Sequence, residues 1–570
     1  MNNLSSIVMV TCSLIAVSSC GTSRQADVEP QADAAIFESF SYKGNDDFYV
    51  KNPLPDESSY YNPILPGWYS DPTICTNGEG DYFLATSTFT YVPGVPVFHS
   101  RDLVNWTKIG HVLTRESQLK NFRHQHVSGG IFAPDIKYNP ANKTYYMITT
   151  NVGAGNFFVK TQDPFGEWSD PVYLPEVQGI DPSFFFDNDG RAYIVNNDDA
   201  PDNKPEYSGH RTVRIVEFDT ETEKCIGERK IIVNKGCRPE EKPIWCEGPH
   251  IYNVDGTYYL MTAEGGTSGW HSEVIYRGKS PMGPYEPWVG NPILTQRDLD
   301  NDRPDPVTCA GHADLVKTAE GDWWAVFLAC RPIDGDYENL GRETFMLPVK
   351  WTDDGWPYIT KHGEAIPMIV SRPGVTRADT VTFGNFEWTD NFESPSLDME
   401  WHTLRGDAAG LYSLNNPVNH LTLKCSDIPT TEKDVAAFIG RRVQHHNYEC
   451  TTHMVFEPAD TCQHAGLVVM KDETHQYQFG KARSAEGNMI TLRKIDEHGS
   501  TDIAGVPVDA AGVDLRVVSH GKSYDFMFST DRGDTWNVLK TGVDARHTST
   551  AAAGGFTGTV VGLYASKTRI

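Results

Sequence analysis

Short apolar and aromatic runs recur along the first two thirds of the chain, each beginning close to a turn-forming residue. The runs occupy residues 81–84, 144–147, 191–194, 257–260 and 322–325, and the turn signals are Gly80, Asn142-Lys143, Asp189-Gly190, Asp255-Gly256 and Gly321. Aromatic and β-branched residues that follow a Gly or Asn turn are typical of a strand leaving a hairpin. The pattern therefore predicts five short hairpin strands.

A polar residue precedes the aromatic of each run by ten to twelve positions. The pairs are Asp71 and Tyr82, Asp135 and Tyr145, Asp181 and Tyr193, Glu247 and Tyr258, and His312 and Trp323. The aromatics are 63, 48, 65 and 65 residues apart, a regular self-similarity that indicates a repeat architecture. Units of this length made of short strands are typical of the four-stranded blades of a β-propeller. Because the first strand of every blade lines one axis, we expect the five polar residues to meet.

The repeat ends near residue 372, and a different strand pattern follows. Runs at 421–424, 465–470 and 524–528 are strand-like and no longer follow the aromatic spacing. The sequence thus predicts an all-β chain in which a five-bladed β-propeller, residues 59–372, is followed by a C-terminal β-sandwich, residues 385–570.

The N-terminus carries an export signal. Residues 7–17 form an apolar run that is too short to span a bilayer, which predicts a signal peptide over residues 1–20. Small residues before Cys20 resemble a bacterial lipobox and predict a lipid anchor on that cysteine, with the protein in the periplasm or on the cell surface. Because no Lys or Arg precedes the run, an ordinary cleaved signal is the alternative. The polar residues 21–58 are predicted to form a flexible tether.

Composition narrows the class of ligand. The net charge of −27 argues against nucleic acid, since phosphate binding needs a basic surface. An acidic chain with 13 Trp and 25 Tyr favours a neutral polar ligand such as a sugar. Nine cysteines follow the signal, without metal-ligand spacing, and a disulfide between Cys225 and Cys237 is left open.

Three carboxylates lie in motifs that carry a family resemblance. Asp71 lies in GWYSDPTI (67–74), Asp135 in GIFAPDI (130–136) and Glu247 in WCEGPH (245–250). Together with NPILPG (62–67) and LGRETF (340–345), these motifs resemble glycoside hydrolase family 43, a family of inverting five-bladed propeller enzymes. The resemblance extends into the sandwich, as in the β-xylosidases of the family, and implies a concanavalin-like jelly roll there.

The resemblance implies a role for each carboxylate. Asp71 is expected to be the general base that activates water, and Glu247 the general acid that protonates the leaving oxygen. Asp135 is expected to orient the acid and to raise its pKa, because a nearby negative charge disfavours ionisation. Two carboxyl groups facing one bond are what glycoside hydrolysis requires. Asp181 is assigned a structural role.

Other residues are expected to bind the substrate. Arg342 is expected to donate hydrogen bonds to sugar hydroxyls, and Phe132 to form an apolar wall under the sugar. His312 matches a family histidine that lies beside a calcium-centred water cluster, so a structural calcium is expected near the axis, with no cofactor required for catalysis. The polar loop 457–464 of the sandwich is a candidate lid that would restrict the enzyme to chain ends.

The expected reaction is exo-acting, inverting release of β-D-xylose from xylan-derived oligosaccharides. The main alternative is an α-L-arabinofuranosidase acting on arabinan or arabinoxylan. A retaining propeller glycosidase of the fructan-cleaving type would have Asn before its Asp-Pro, whereas Ser70 precedes Asp71 here. A non-catalytic sugar-binding propeller is the remaining alternative. The sequence alone does not choose between xylose and arabinose.

Overall fold

The computed structural model describes residues 28–568, which are built almost entirely of strands. The helical elements of this range are two short α-helices and four 3-10 turns: α1 (Asp47–Lys51), α2 (Thr550–Ala553), Glu116–Gln118, Pro201–Asn203, Pro239–Glu241 and Ala545–Thr548. None of the helices in the described range has the length and apolar character needed to cross a membrane. The all-β prediction is therefore confirmed.

The first described strand corrects the prediction for the N-terminus. Two strands, β1 (Ala34–Gly44) and β2 (Ser59–Tyr61), and helix α1 lie in or at the end of the segment predicted to be a flexible tether. In β1 the side chains of Phe37, Phe40 and Tyr42 are fully buried. The tether prediction is wrong from Ala34 onward, because these aromatics fix the segment in a sheet. The predicted signal peptide and Cys20 lie outside the described residues.

Five antiparallel sheets follow in chain order. Their strands are β3 (Thr73–Thr76), β4 (Tyr82–Ala85), β6 (Gly94–Ser100), β7 (Thr107–Leu113), β8 (Asp135–Asn139), β9 (Thr144–Asn151), β10 (Gly155–Thr161), β11 (Val172–Tyr173), β12 (Ile180–Phe186), β13 (Ala192–Asp199), β14 (Arg211–Asp219), β15 (Lys224–Asn234), β16 (Glu247–Val254), β17 (Thr257–Glu264), β18 (Ser272–Gly278), β19 (Tyr285–Pro287), β20 (Leu294–Thr295), β21 (Thr308–Lys317), β22 (Trp323–Cys330) and β23 (Glu343–Pro348). The short strand β5 (Tyr91–Val92) lies between β4 and β6 in the sequence and belongs to none of these five sheets. Each predicted aromatic run falls in the second strand of a sheet, which confirms the five hairpin strands.

The sheets are simple meanders with their first strands next to one another. The strand orders are β3-β4-β6-β7, β8-β9-β10-β11, β12-β13-β14-β15, β16-β17-β18-β19 with β20 on β18, and β21-β22-β23. Each first strand contacts the first strand of the next sheet, and β21 contacts β3. Leu65 bridges Thr344 of β23, so the start of this region is attached to its last sheet.

The remaining strands complete this region and form two further sheets. They are β24 (Lys350–Trp351), β25 (Pro357–Tyr358), β26 (Ile369–Ser371), β27 (Glu387–Asp390), β28 (Thr403–Leu404), β29 (Tyr412–Asn415), β30 (Val418–Lys424), β31 (Phe438–Arg442), β32 (Asn447–Val455), β33 (Gln463–Met470), β34 (Gln476–Ser484), β35 (Gly487–Asp496), β36 (Gly499–Pro507), β37 (Gly512–His520), β38 (Ser523–Ser529), β39 (Asn537–Asp544) and β40 (Val560–Lys567). Strand β26 pairs with β2, and β24 pairs with β25.

The C-terminal region has one sheet in the order β29-β30-β1-β32-β37-β38-β39, with β27 on β1, and another in the order β31-β40-β33-β34-β35-β36. Side chains from both sheets share one apolar core that includes Phe37, Leu467 and Phe526. Strand β1, the first strand of the described residues, thus belongs to the C-terminal region. Cys225 and Cys237 are both free thiols.

A buried interface joins the C-terminal sheets to the five-sheet region. The guanidinium of Arg442 lies 4.1 Å from the ring centroid of Trp68 and 4.3 Å from that of Tyr69. The buried Lys108 Nζ lies 2.6 Å from a carboxylate oxygen of Glu400. Buried charges are stable only when they are paired, so these contacts fix how the two regions meet.

Candidate active site

A pocket of about 250 Å³ opens where the first strands of the five sheets begin. Its lining includes Asp71, Asp181, Glu247, His312 and Arg342, which are all largely buried. Four of the five polar residues singled out by the repeat spacing therefore come together, although they are far apart in sequence. Asp135 is not among the lining residues.

Local backbone geometry turns these side chains into the pocket. Asp71, Asp181 and His312 have left-handed backbone angles, with φ of 53°, 51° and 52°. The regular pairing of β16 with β17 is interrupted between Glu247 and His250. Bulges and left-handed residues re-aim a side chain out of a regular ladder, at an energetic cost that is typical of functional sites.

Asp71 is held from three sides. Arg342 Nη1 donates to Asp71 Oδ1 at 2.9 Å, and Arg342 Nη2 donates to Oδ2 at 3.3 Å. Ser87 Oγ donates to Oδ2 at 2.7 Å, and His312 Nδ1 lies 3.7 Å from Oδ1. A two-point Arg contact restricts rotation of a carboxylate, so this group is oriented before any substrate arrives.

Glu247 has the opposite electrostatic environment. Burial raises its pKa well above the ordinary value, and the negative charges of Asp181 and Asp71 raise it further, against smaller opposing effects of Arg342 and Arg211. Burial also raises the pKa of Asp181, whose Oδ2 accepts a hydrogen bond from Gly248 N at 3.3 Å. The pocket thus holds one Arg-anchored carboxylate and one carboxyl group whose surroundings favour the protonated form.

Three phenylalanines form the apolar wall. The ring centroid of Phe556 lies 5.6 Å from that of the predicted Phe132 and 6.0 Å from that of Phe89. The Arg342 guanidinium lies 5.3 Å from the Phe556 centroid. Neither Phe89 nor Phe556 was expected from the sequence to lie in the site. Apolar rings beside polar groups are what a sugar pocket requires, since sugars present both CH faces and hydroxyls.

Phe556 comes from the C-terminal region and corrects the prediction about the lid. It follows α2, and its backbone N donates to Ser128 Oγ at 2.8 Å across the interface. Residues Thr461, Gln463 and His464 of the predicted lid loop line a separate groove with β34 to β36. The loop 457–464 is therefore the wrong segment, although the correct one belongs to the same region.

Asp135 lies deeper and does not flank Glu247. It occupies a regular position in β8 opposite Ile148, is 1% exposed and contacts Lys137 Nζ at 3.1 Å. The expected role beside the acid is wrong for this residue, because Asp181 supplies the neighbouring charge. A sequence signal existed: Pro follows Asp71 and Asp181 directly, whereas Pro134 precedes Asp135.

Comparison with known proteins finds two family models that together cover most of the chain. The family model of glycosyl hydrolases family 43 matches residues 60–357, and the model of the β-xylosidase C-terminal concanavalin A-like domain matches residues 389–569. The chain is 35% identical to the non-reducing end α-L-arabinofuranosidase BoGH43B of Bacteroides ovatus, over 90% of this chain and 92% of the relative.

Two further relatives cover the same extent. A β-xylosidase of Bacillus subtilis is 32% identical over 89% of this chain and 96% of its own. A crystal structure of a GH43_12 protein from a capybara gut metagenome superposes with a TM-score of 0.86 at 39% identity, covering 94% of this chain and all of that one. With two matching family models in order and relatives aligned over nearly their full length, the chain belongs to glycosyl hydrolases family 43.

Proposed function

We propose that this glycosidase removes single pentoses from the non-reducing ends of oligosaccharides with inversion, and that β-D-xylose from xylan fragments is its first candidate product. The observation that carries the proposal is the pairing of a proton-retaining Glu247 with an Arg342-anchored Asp71 in one small pocket. Glycoside hydrolysis requires one carboxyl group that donates a proton and one carboxylate that accepts a proton from water.

The roles follow from the surroundings of each group. Asp71 takes a proton from water as that water attacks the anomeric carbon, and Glu247 gives its proton to the departing glycosidic oxygen. Asp181 takes the role that was expected of Asp135, since its charge lies beside Glu247 and raises the pKa of the acid. Arg342 holds Asp71 and, with Phe132, faces the sugar.

The choice of sugar is open to a direct assay. Relatives of nearly full length include both a β-xylosidase and an α-L-arabinofuranosidase, so the presence of the sandwich does not favour xylose. We expect faster hydrolysis of an aryl β-D-xyloside than of an aryl α-L-arabinofuranoside, with xylo-oligosaccharides and arabinan compared in parallel. The reverse preference would make the enzyme an arabinofuranosidase, and binding without hydrolysis of either would indicate a lectin.

Inversion can be tested on the first-formed sugar. An inverting mechanism requires the carboxyl groups of Asp71 and Glu247 to be roughly 6.5–9.5 Å apart, so that a water fits between the base and the sugar. Proton NMR during the first turnovers should show the anomer opposite to that of the substrate. Retention would support the fructan-type alternative instead.

Exo action is supported by the closure of the pocket by Phe556. A pocket walled on one side by the C-terminal region accepts a chain end and excludes the middle of a polymer. Phe556→Ala should raise KM for xylo-oligosaccharides more than it lowers kcat, because a wall of the sugar site is lost while acid and base stay in place. Rapid loss of polymer viscosity with the native enzyme would contradict exo action.

We also propose that the five sheets are the blades of a closed five-bladed propeller. This is supported by the contacts of each first strand with the next, including β21 with β3, and by the Leu65 to Thr344 bridge. Ring closure predicts cooperative loss of all five sheets on heating, which hydrogen exchange resolved by peptide would test. Early exchange of the fifth sheet alone would argue for an open array.

We also propose that a calcium ion binds beside His312. The carboxylates of Asp71 and Asp181 lie beside this histidine and are of the ligand type that Ca²⁺ prefers. If a bound ion contributes, chelation should lower activity and added calcium should restore it. Activity that is insensitive to chelation would remove the ion from the proposal.

Export and lipidation complete the proposed function. A cell-surface or periplasmic enzyme meets polymer fragments where they arise, and Cys20 would carry the anchor. Metabolic labelling with a radioactive fatty acid should mark the native chain and not a Cys20→Ala variant. Labelling of neither would favour an ordinary cleaved signal, and equal labelling of both would show that Cys20 is not the anchor.

A further inference from the structure

A buried polar cluster lies directly beneath the pocket. Lys137 Nζ is 2.6 Å from Asp314 Oδ2 and 3.1 Å from Asp135 Oδ1. His250 Nδ1 lies 3.5 Å from Asp135 Oδ1 and 3.7 Å from Asp314 Oδ1. Asp314 is fully buried, and the side chain of Lys137 is 17% exposed. We call Asp135, Lys137, His250 and Asp314 the polar hub.

The polar hub contacts the first strands of all five sheets. Asp135 and Lys137 lie in β8, His250 in β16 and Asp314 in β21. Asp314 Oδ2 accepts hydrogen bonds from Thr73 Oγ1 and Ile74 N of β3, at 2.8 and 2.9 Å. Asp135 Oδ2 accepts one from Phe184 N of β12 at 2.8 Å.

Each of these contacts is close in sequence to a pocket residue. Thr73 follows Asp71 by two positions, and Asp314 follows His312 by two. His250 follows Glu247 by three, and Phe184 follows Asp181 by three. Alternate residues of a strand point the same way, and the ladder irregularities between Glu247 and His250 and between Ile180 and Ser183 account for the extra residue in β16 and β12. Hub and pocket are therefore successive levels on the same strands. A shift in the hub would therefore displace the pocket groups.

The donor set of the hub is that of a metal site. One ligand atom from each of Asp135, His250 and Asp314 lies within 4.8 Å of the others, and carboxylates with imidazole bind divalent cations. His250 Nδ1 has no hydrogen-bond partner within residues 28–568, and burial lowers the pKa of this histidine to about 3. A neutral imidazole thus faces two carboxylates.

The ammonium group of Lys137 already lies against both carboxylates of this set. Although burial lowers the pKa of Lys137, the charges of Asp135 and Asp314 raise it above the ordinary value. Two buried carboxylates without a counter-ion would be strongly destabilising, and one cation between them removes most of that cost. The same charge would oppose the binding of a divalent ion.

We propose that the Lys137 ammonium is the built-in cation of the polar hub, and that the hub positions the acid and base above it. Lys137 is thus a positioning residue that acts through the strands of Asp71, Asp181 and Glu247. It also follows that removal of this ammonium exposes a divalent-cation site formed by Asp135, His250 and Asp314. The positioning role rests on the proposed function, whereas the cation role does not.

The first test compares three lysine variants of the full chain. Lys137→Met should lower kcat by about 10²-fold with little change in KM, because small displacements of catalytic groups cost rate rather than affinity. Lys137→Arg, which keeps a cation, should fold and retain far more activity than Lys137→Met. Lys160→Met is the matched control, since Lys160 lies in β10 of the same sheet as Lys137 and pairs with Glu223, outside the hub.

The outcomes show whether the cation of Lys137 is needed for catalysis, for folding or for neither. A Lys137→Met variant that folds with native kcat overturns the positioning role. If Lys137→Met fails to fold and Lys137→Arg folds, the requirement for a cation is supported. Equal failure of both overturns it, since charge would then not be the property that matters. Thermal unfolding gives this readout even if the native chain hydrolyses no pentoside.

The second test asks whether an ion can replace the ammonium. Lys137→Ala and the native chain are titrated with manganese chloride, and bound Mn²⁺ is counted by electron paramagnetic resonance. We expect the variant to bind one ion more than the native chain and to unfold at a higher temperature with Mn²⁺ than without it. Equal stoichiometry in the two proteins would overturn the proposal that the ammonium occupies a cation site.

Discussion

The pocket and the polar hub use the same kinds of side chain for opposite purposes. In the pocket, Asp181 and Glu247 are buried next to each other, and the pKa of each is raised. In the hub, Asp135 and Asp314 share the ammonium of Lys137. In the pocket, neighbouring negative charge helps to keep a proton on Glu247 for catalysis, whereas in the hub one ammonium between two carboxylates lowers the cost of burying them. Residues that form or contact the hub follow pocket residues by only two or three positions in the sequence.

The largest expected effect distinguishes the base from a structural carboxylate. Asp71→Asn should lower kcat by about 10²–10⁴-fold on every substrate, because the attacking water loses its base. Asp187→Asn is the matched control: Asp187 is buried outside the pocket and accepts hydrogen bonds from Asn253 and Tyr258. Steady-state rates of both variants test this, and comparable losses would show that burial rather than position matters.

The acid should show a dependence on the leaving group that no hub residue shares. Glu247→Gln should lower rates on xylo-oligosaccharides by about 10²–10⁴-fold and spare aryl pentosides with acidic phenols, which leave without protonation. A Brønsted plot over a series of phenols measures this directly. Equal losses across the series would remove Glu247 from the acid role.

The sequence predicted where the polar residues lie along the first strands of the sheets better than it predicted the direction of their side chains. Repeat spacing located five first strands and brought Asp71, Asp181, Glu247 and His312 together. It also assigned Asp135 to the same level, because spacing does not record whether a residue stands in a bulge or in a regular ladder. The left-handed φ of Asp181 and the regular pairing of Asp135 are properties of the folded sheet.

Long-range packing was the other feature that the sequence could not supply. Phe556 is 424 positions from Phe132 in the sequence and forms a wall with it. Nothing in the local pattern around Phe556 indicates that contact. Strand β1 was missed for a related reason, because its partners β30 and β32 lie at the other end of the chain.

A pH profile should separate Asp181 from Asp135. Glu247 must be protonated to act, and the charge of Asp181 helps to raise its pKa. Asp181→Asn removes that charge, lowers the pKa of Glu247, and should move the alkaline limb of kcat/KM to lower pH. Asp135→Asn should leave this limb in place. A shift with Asp135→Asn and none with Asp181→Asn would restore the role first expected from the sequence.

The smallest expected effect is on stability and concerns Asp135 itself. Burial raises its pKa to about 6, above the value of an unfolded chain, even though Lys137 opposes the shift. The folded protein therefore holds more protons than the unfolded chain between about pH 4 and pH 6, and its stability falls as pH rises through that window. Asp135→Asn removes this titration.

The unfolding free energy of Asp135→Asn relative to that of the native chain should therefore be larger at pH 7 than at pH 4. A shift of about two units corresponds to a change in relative unfolding free energy of up to about 3 kcal/mol. Denaturant unfolding of both proteins at the two pH values measures this difference. A relative stability that does not change with pH would mean that folding does not raise the pKa of Asp135, and would contradict this prediction.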